Sequence, residues 1–264
     1  MTHKSAPGRF RLTLEYDGTR YSGWQKQHEV KTLQGSLLQA AETLFGSDEL
    51  DIQGSGRTDA GVHALNYTAH LEVRTDLSPE AILRGMNDAL PRDMALLRVE
   101  KAHPRFHARH NCIARSYIYR LSKRKSAFDR KYVWWVRDPL DLEAMRRAAG
   151  LLVGMHDFVS FAEKQELKKS TMALVHLTEL TENDGLILFR IIGSHFLWKM
   201  VRRIVGLLVE VGRHGLAVED VGSLLTEKSD RPVRYIAPAA GLFFERAFYH
   251  EQELQEFLHL RDEA

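Results

Sequence analysis

The sequence predicts an α+β protein in which the order strand–helix–strand–strand–helix–strand occurs twice. Two observations carry this prediction: short runs in which apolar and polar residues alternate, and intervening segments in which apolar residues recur at helical spacing. The two halves share this order but not their sequence. We therefore expect two ferredoxin-like (split βαβ) halves with antiparallel sheets, flanking a central basic cleft.

The first half has strong start and stop signals for both of its helices. Thr32 is a suitable N-cap for the first helix, and Gly46 is a suitable stop. Ser78-Pro79-Glu80 combines a cap, a first-turn proline and a first-turn acid at the start of the second helix. The expected elements are a strand over 10–16, a helix over 33–45, strands over 50–53 and 65–73, a helix from 79 to before Pro91, and a strand through 97–99.

The second half repeats the order with longer connections. Glu182-Asn183-Asp184-Gly185 is a turn signal that separates its two middle strands. The expected elements are a strand over 116–121, a helix from about Asp141, strands over 174–180 and 186–192, a helix over 196–211 that ends at Gly212, and a strand over 242–249. We expect an N-terminal α+β domain over 1–107 that carries a glycine-rich loop, and a C-terminal α+β domain over 108–264 that completes the cleft.

Composition excludes several classes of protein. The 264 residues are 44% hydrophobic and 27% charged with a formal charge of +2, which excludes a disordered tail protein and a collagen-like fibre. A single cysteine, Cys112, cannot form an intrachain disulfide and indicates a reducing compartment. The N-terminus has no apolar run, and the most apolar stretch, Ile204–Val211, is too short to span a membrane. We expect a soluble, cytoplasmic protein.

Positive charge is concentrated in the middle of the chain. Between Lys101 and Lys131 there are ten Lys or Arg residues and one acid, Asp129. Aromatic residues are interleaved with these cations, which suits a polyanion whose bases can stack. A solvated basic face is the alternative interpretation of the same pattern.

Residues 54–64 form the most distinctive string, Gly-Ser-Gly-Arg-Thr-Asp-Ala-Gly-Val-His-Ala. It lies between two expected strands and therefore forms a loop whose glycines allow close approach of the backbone to a ligand. The loop has neither the Gly-Lys-Ser/Thr ending of a nucleotide P-loop nor a helix of the dinucleotide type behind it. With phosphate-binding loops excluded, the feature of the loop is a carboxylate, Asp59, displayed beside a cation, Arg57. Asp59 could be a functional carboxylate, or it could only cap the backbone of the turn.

Residues 56–64 resemble the signature of the TruA family of tRNA pseudouridine synthases. Further blocks follow in the family's order and extend the resemblance over nearly the whole chain. They are Tyr16-Asp17-Gly18 with 21–27, 106–109 with 114–117, the Asp-Phe-x-Ser-Phe element within 156–161, 196–212, and 240–244. One departure is Ser170-Thr171, preceded by Lys168-Lys169, where many relatives carry Arg-Thr.

The resemblance implies an isomerase that converts uridine to pseudouridine in the tRNA anticodon stem-loop, at nucleotides 38, 39 and 40. In this reaction the bond from ribose C1′ to N1 breaks, the uracil rotates, and C5 bonds to C1′. No redox change or net hydrolysis occurs, so neither cofactor nor metal is implied. The expected partners are tRNA and, in a homodimer, a second copy of the chain, with no membrane.

The resemblance also implies roles for individual residues. Asp59 is the catalytic carboxylate, Arg202 its ion-pair partner, and Arg57 the residue that holds the flipped nucleotide or fills its place. Tyr117 stacks on the target uracil, and Leu242 forms the apolar wall on its other face. The remaining substrate-binding candidates are Phe106, His107, Arg109 and Arg115.

Several of these residues also have a purely structural interpretation. Arg57 could make only a turn contact, Arg202 could contact only phosphate or solvent, and Leu242 could be ordinary core. His103, His107, His110 and Cys112 raise the alternative of a metal site, but their spacing is not a standard zinc pattern. As a whole, the chain could instead be a non-catalytic RNA-binding protein, since ferredoxin-like sheets bind single strands without chemistry.

Overall fold

The computed structural model describes residues 8–46, 49–163 and 170–262. The chain divides into two compact units. The first unit contains the described residues up to Ile113 together with Phe244–Glu251. The second unit contains Ala114–Phe243 and the described residues from Gln252 onward.

The first unit has the expected split βαβ arrangement. Its strands pair antiparallel in the order β4-β1-β3-β2, and the two helices follow the order that the sequence predicts. The α+β class is confirmed. The elements are β1 (Gly8–Tyr16), α1 (Leu33–Phe45), β2 (Asp51–Gly54), β3 (His63–Val73), α2 (Pro79–Ala89) and β4 (Met94–Lys101).

Both helices of this unit begin and end at the residues that the sequence marks. The Gly35 N–H donates to Thr32 Oγ1 at 3.2 Å, and Gly46 ends α1 in the left-handed conformation with φ 61°. The Ala81 N–H donates to Ser78 Oγ at 3.3 Å, with Pro79 in the first turn of α2. The strand alternation also has its expected cause, because Leu12 and Leu14 of β1 are completely buried.

The second unit contains an antiparallel sheet in the order β5-β9-β8-β7, with β6 parallel to β5. Strand β10 begins in this unit with Leu242 and Phe243, and its remaining residues lie beside β3 in the first unit. The elements are β5 (Ala114–Ser122), β6 (Trp134–Trp135), α3 (Leu142–Gly150), β7 (Gly154–Asp157), β8 (Met172–Asn183), β9 (Leu186–Gly193), α4 (Met200–Gly212), α5 (Val218–Thr226), α6 (Arg231–Arg234), β10 (Leu242–Phe248) and α7 (Glu251–Asp262).

Helix α4 departs from the sequence-based expectation at its start. The spacing predicts a helix from Phe196, but α4 begins at Met200 because Lys199 is left-handed, with φ 60°. Residues before Lys199 therefore form a separate non-helical segment. Nearly every residue of α4 is buried, so this helix forms the centre of the second unit. Among the described residues, no helix has both the length and the apolar character needed to cross a membrane.

Candidate functional site

The loop between β2 and β3 presents Arg57 and Asp59 on either side of a buried residue. Arg57 is exposed, Thr58 is buried and Asp59 is half-buried. The Thr58 carbonyl accepts a 3.0 Å hydrogen bond from the Trp24 N–H, and Thr58 Oγ1 lies 3.0 Å from the Tyr16 hydroxyl. Because the carbonyl and the hydroxyl of Thr58 are both hydrogen-bonded, the backbone from which the Arg57 and Asp59 side chains extend is held in position.

The start of the same loop is bound to β3 by a tyrosine. The Gly56 N–H donates to the Tyr67 hydroxyl oxygen at 3.3 Å, and that hydroxyl donates in turn to the Gly56 carbonyl. Gly54 makes room for this ring, since a Cβ there would lie 2.0 Å from the Tyr67 hydroxyl. The glycines at the start of the loop therefore serve close packing against Tyr67.

Residues 17–24 pack against the other end of the loop. The Gly61 N–H donates to the Tyr21 carbonyl at 3.3 Å, and the Gly18 N–H donates to His63 Nδ1 at 3.1 Å. A Cβ on Gly18 would lie 1.9 Å from the Val62 carbonyl oxygen. Sequence reasoning noted this segment only for its resemblance; its structural task is to hold the Asp59 loop.

Residues 106–109 are bound to β3 and to Tyr249, directly after β10, through Ala108, which is completely buried. The Ala108 N–H donates to His70 Nδ1 at 3.1 Å, and the Tyr249 hydroxyl donates to the Ala108 carbonyl at 2.8 Å. Phe106 and His107 are half-buried beside this anchor, and Arg109 is exposed. Three of the expected substrate-binding residues thus occupy one well-anchored turn.

Three histidine rings lie in tilted contact in this part of the first unit. The ring centroids of His70 and His107 are 4.7 Å apart, and those of His107 and His110 are 4.1 Å apart. Burial, with a further contribution from Arg9, lowers the pKa of His70 to about 4. Burial and the neighbouring His110 also lower the pKa of His107. Within residues 8–46, 49–163 and 170–262, no cluster of His, Cys, Asp or Glu has the arrangement of a metal site.

In the second unit, β5 carries two of the expected substrate-binding residues. Tyr117 is 8% exposed, and its ring meets the Phe196 ring edge-on at a centroid distance of 5.3 Å. Arg115 Nη1 donates to the Ser194 carbonyl at 2.9 Å. The segment before α4 therefore packs against the side chains at the start of β5. Burial and, to a lesser extent, the charge of Arg115 lower the pKa of His195 in this segment.

Arg202 lies in the first turn of α4 and is half-buried. Its Nε donates to the Ala237 carbonyl at 2.7 Å, and the Ala237 N–H donates to the Arg202 carbonyl at 3.0 Å. The Tyr119 hydroxyl donates to the next carbonyl, of Pro238, at 2.7 Å. These bonds fix the chain just before Leu242, which is 5% exposed at the start of β10.

Sequence reasoning missed Arg203, the neighbour of Arg202. Arg203 is completely buried, donates to the Phe161 carbonyl at 2.6 Å and forms an ion pair with Glu163. It therefore connects the Asp-Phe-x-Ser-Phe element to α4. Its position between Met200 and Leu207 on the apolar face of the helix is the signal that could have identified it.

The structure brings the expected residues together in groups within each unit. Arg57 and Asp59 share one loop; Phe106, His107 and Arg109 share one turn; Arg115 and Tyr117 share β5, while Arg202 and Leu242 are joined through residues 237–238. Ser170 is exposed and its Oγ accepts a 3.3 Å hydrogen bond from the Met172 N–H. Lys168 and Lys169 lie outside the described residues.

Comparison with known proteins shows a match over most of the chain. A family model described as tRNA pseudouridine synthase matches residues 13–111 and 148–250. A "tRNA pseudouridine synthase A 2" of Bacillus cereus is 38% identical over 239 residues, which cover 89% of this chain and 97% of that protein. A protein of the same name from Clostridium tetani is 37% identical over 244 residues, 91% of this chain and 98% of that protein. A solved Cbf5-Nop10-Gar1 complex superposes with a TM-score of 0.38 at 10% identity, covering 92% of this chain and 50% of that chain.

Proposed function

Since the chain belongs to the tRNA pseudouridine synthase family, we propose that Asp59 is the catalytic carboxylate of its uridine isomerisation. We further propose that the uridines lie in the anticodon stem-loop, at nucleotides 38, 39 and 40. The observation that carries the role of Asp59 is its place in the loop. It is a half-buried carboxylate next to an anchored residue, Thr58, in a loop that Tyr67, Trp24 and Tyr21 bond to the rest of the unit.

The reaction leaves the composition of the substrate unchanged. The C1′–N1 bond breaks, the uracil rotates, C5 bonds to C1′, and the proton lost from C5 is balanced by one gained at N1. A carboxylate can form or stabilise the covalent adduct that separates these steps. An anchored loop suits this task because it holds the reacting oxygen without reorganisation during the reaction.

The target uridine has to leave its stack before a carboxylate can reach it, at a cost of about a few kcal/mol. We assign Arg57 to the flipped nucleotide, because it is exposed and only two residues from Asp59. We assign Tyr117 to stacking on the uracil and Leu242 to its apolar wall. Tyr117 is ring-packed against Phe196, so its aromatic plane is already oriented.

A cation near the carboxylate favours its ionised form. We assign this role to Arg202, whose guanidinium is oriented by the hydrogen bond to the Ala237 carbonyl. Phe106, His107, Arg109 and Arg115 are assigned to RNA binding, in keeping with the basic stretch in which they lie.

The direct test is tritium release from tRNA labelled at uracil C5. Wild-type protein is expected to release label, and Asp59→Asn is expected to release none above background. Asp51→Asn, an exposed aspartate on β2, is the matched control and should release label at the wild-type rate. Equal release by Asp59→Asn and wild type would refute the role of Asp59. Release by neither protein, with tRNA binding intact, would support a non-catalytic RNA-binding protein.

We also propose a cytoplasmic homodimer, because an L-shaped tRNA exceeds the surface that one chain of this size offers. Light scattering at micromolar concentration should give twice the chain mass of 30.3 kDa. The mass of a single chain under these conditions would refute the dimer.

A further inference from the structure

The second unit contains a cavity of about 240 Å³ beside the end of β5. The residues that line it include two arginines, Arg120 and Arg124, and three residues with hydroxyl groups, Ser122, Ser126 and Tyr132. Side chains alternate along a strand, so Arg120 and Ser122 lie on the opposite side of β5 from Tyr117. The cavity is therefore separate from the residues assigned to the target uracil.

Arg120 is a half-buried cation that packs on an aromatic ring. Its guanidinium carbon lies 4.3 Å from the centroid of the Phe243 ring. Among the described residues, no hydrogen bond or ion pair involves its side chain. Burial lowers the pKa of Arg120, and the charge of Asp129 only partly opposes this. A planar guanidinium held in this way offers its N–H donors to an anion, above all to a phosphate.

The wall contains two arginines, Arg120 and Arg124, and two acids, Asp129 and Asp184, but the segment that supplies most of it carries an excess of positive charge. Residues 120–133 contain six Lys or Arg and one acid, Asp129. One of these cations, Lys123, is paired with Glu182 at 2.6 Å. The Asp129 carboxylate accepts a 2.8 Å hydrogen bond from Ser126 Oγ, and Asp184, the other acid in the wall, lies exposed in the β8–β9 turn. The excess of positive charge in residues 120–133 favours an anionic ligand.

Phe128 is 91% exposed in the loop over this cavity. The loop is not loosely held, because the Asp129 N–H donates to Ser126 Oγ at 3.1 Å and the Tyr132 N–H donates to the Asp129 carbonyl at 2.7 Å. An exposed aromatic ring in an anchored loop among cations is a suitable surface on which an unpaired base can stack. Because the Phe128 ring is almost fully exposed, it buries little apolar surface and does not stabilise the core.

We propose that this cavity and Phe128 form a second nucleotide site, which binds an unpaired nucleotide of tRNA other than the uridine that reacts. The phosphate of this nucleotide lies against Arg120 and Arg124, and its base stacks on Phe128. The volume, below the roughly 300 Å³ at which drug-sized ligand pockets begin, suits a phosphate with its sugar. The identity of the RNA rests on the proposed function, while the phosphate and stacking contacts rest on residues 120–133.

The phosphate contact is tested by the salt dependence of tRNA binding, measured by fluorescence anisotropy. We expect Arg120→Gln to raise Kd about tenfold and to reduce the slope of log K against log salt by about 0.7 to 0.9, the value for one phosphate. Arg120→Lys should retain the wild-type slope. Arg147→Gln, an exposed arginine on α3, is the matched control and should retain both quantities.

The stacking contact is tested in the same assay at Phe128. We expect Phe128→Leu to raise Kd at least about fivefold with an unchanged salt slope, because a base–aromatic stack is lost but no charge. Phe128→Tyr should bind as the wild type does. A lower Kd for Phe128→Leu would refute stacking. An equal loss of tRNA affinity in Phe128→Leu and Phe128→Tyr would refute it as well.

Two outcomes would overturn the site as a whole. One is a wild-type Kd and a wild-type salt slope for both Arg120→Gln and Arg124→Gln. Arg124→Gln removes an exposed side chain, so it tests the site even if Arg120→Gln lowers the melting temperature. The other is binding of UMP alone to the wild type, abolished in Arg120→Gln while tRNA affinity is unchanged, which would assign the cavity to free nucleotides. Neither outcome affects tritium release by wild type and Asp59→Asn, so failure of this site and failure of the proposed function are distinguishable.

Discussion

The Tyr67 hydroxyl is hydrogen-bonded to both main-chain polar groups of Gly56, accepting from the N–H at 3.3 Å and donating to the carbonyl. Tyr67 is completely buried, so these bonds form away from competing water. Gly56 directly precedes Arg57. One side chain of β3 therefore determines where the loop that carries Asp59 begins.

Removal of this hydroxyl should loosen the loop. Tyr67→Phe leaves the half-buried main-chain groups of Gly56 with fewer partners, and we expect a loss of about 1 kcal/mol in the free energy of unfolding. We also expect kcat/KM for tritium release to fall about tenfold, because Asp59 is held less firmly. Tyr235→Phe in the second unit is the matched control. Denaturant titration and the release assay measure both effects, and equal values for the two variants would contradict this role of Tyr67.

Gly23 should tolerate no side chain. Its φ is +95°, and a Cβ would lie 2.7 Å from the carbonyl oxygen of Thr58. Gly23→Ala is therefore expected to lower the free energy of unfolding by more than about 1 kcal/mol and to reduce the rate of pseudouridine formation. Gly150→Ala is the control, since a Cβ at the end of α3 has no atom of the described chain within 4 Å. A melting temperature for Gly23→Ala equal to that of the control would contradict the close approach.

Arg202 and Arg203 should respond differently to the same substitution. Arg203→Met leaves Glu163 and the Phe161 carbonyl without a buried guanidinium, and we expect a loss of about 3 kcal/mol in stability. Arg202→Met removes one hydrogen bond to Ala237 and should cost about 1 kcal/mol, while kcat falls at least tenfold and its pH profile shifts. Thermal unfolding and single-turnover kinetics separate the two. A stability loss at Arg202 as large as that at Arg203, with kcat retained, would contradict this assignment.

Stability should decrease in mild acid because of His70. Its pKa is about 4 in the folded protein, against an ordinary value of 6.5, so the unfolded chain binds more protons between these values. The contribution of His70 is fully present above pH 6.5, declines as the pH falls towards 4, and is constant below that. One proton corresponds to a slope of at most about 1.4 kcal/mol per pH unit.

His70→Asn isolates this contribution. An asparagine carbonyl oxygen can accept the Ala108 N–H in place of Nδ1 but does not titrate. The variant should therefore show a shallower fall in stability between pH 6.5 and 4 in urea titrations. The fall should not vanish, because burial also lowers the pKa of His107. An unchanged slope would show that His70 is not responsible.

Local signals predicted the parts of the fold that local chemistry determines. Thr32, Gly46 and Ser78 mark helix ends because capping involves only residues a few positions apart. The apolar spacing predicts the start of α4 four residues too early, since it continues through a segment that the left-handed Lys199 excludes from the helix. Strands β6 and β7, of two and four residues, are too short to establish a period.

The candidate site divides in the same way. The sequence alone identifies the glycine-rich string around Asp59 as a candidate site. The structure adds the packing contacts that explain why glycines occur there. The contacts of Gly18, Gly23 and Gly54 are made with residues far along the chain, which no local pattern encodes. Arg203 is the converse case. Its place on the apolar face of α4 follows from local helical spacing, but the family resemblance singles out its neighbour, Arg202.

The last strand of the first unit has a consequence for synthesis. Residues 244–251 complete the sheet beside β3, yet all of residues 114–243 are translated before them. On the ribosome, the second edge of β3 is therefore covered only at residues 69–72, by β2, until β10 emerges, a state in which nascent chains are prone to mispair. Completion of the first unit's sheet is thereby deferred until residues 244–248 have emerged.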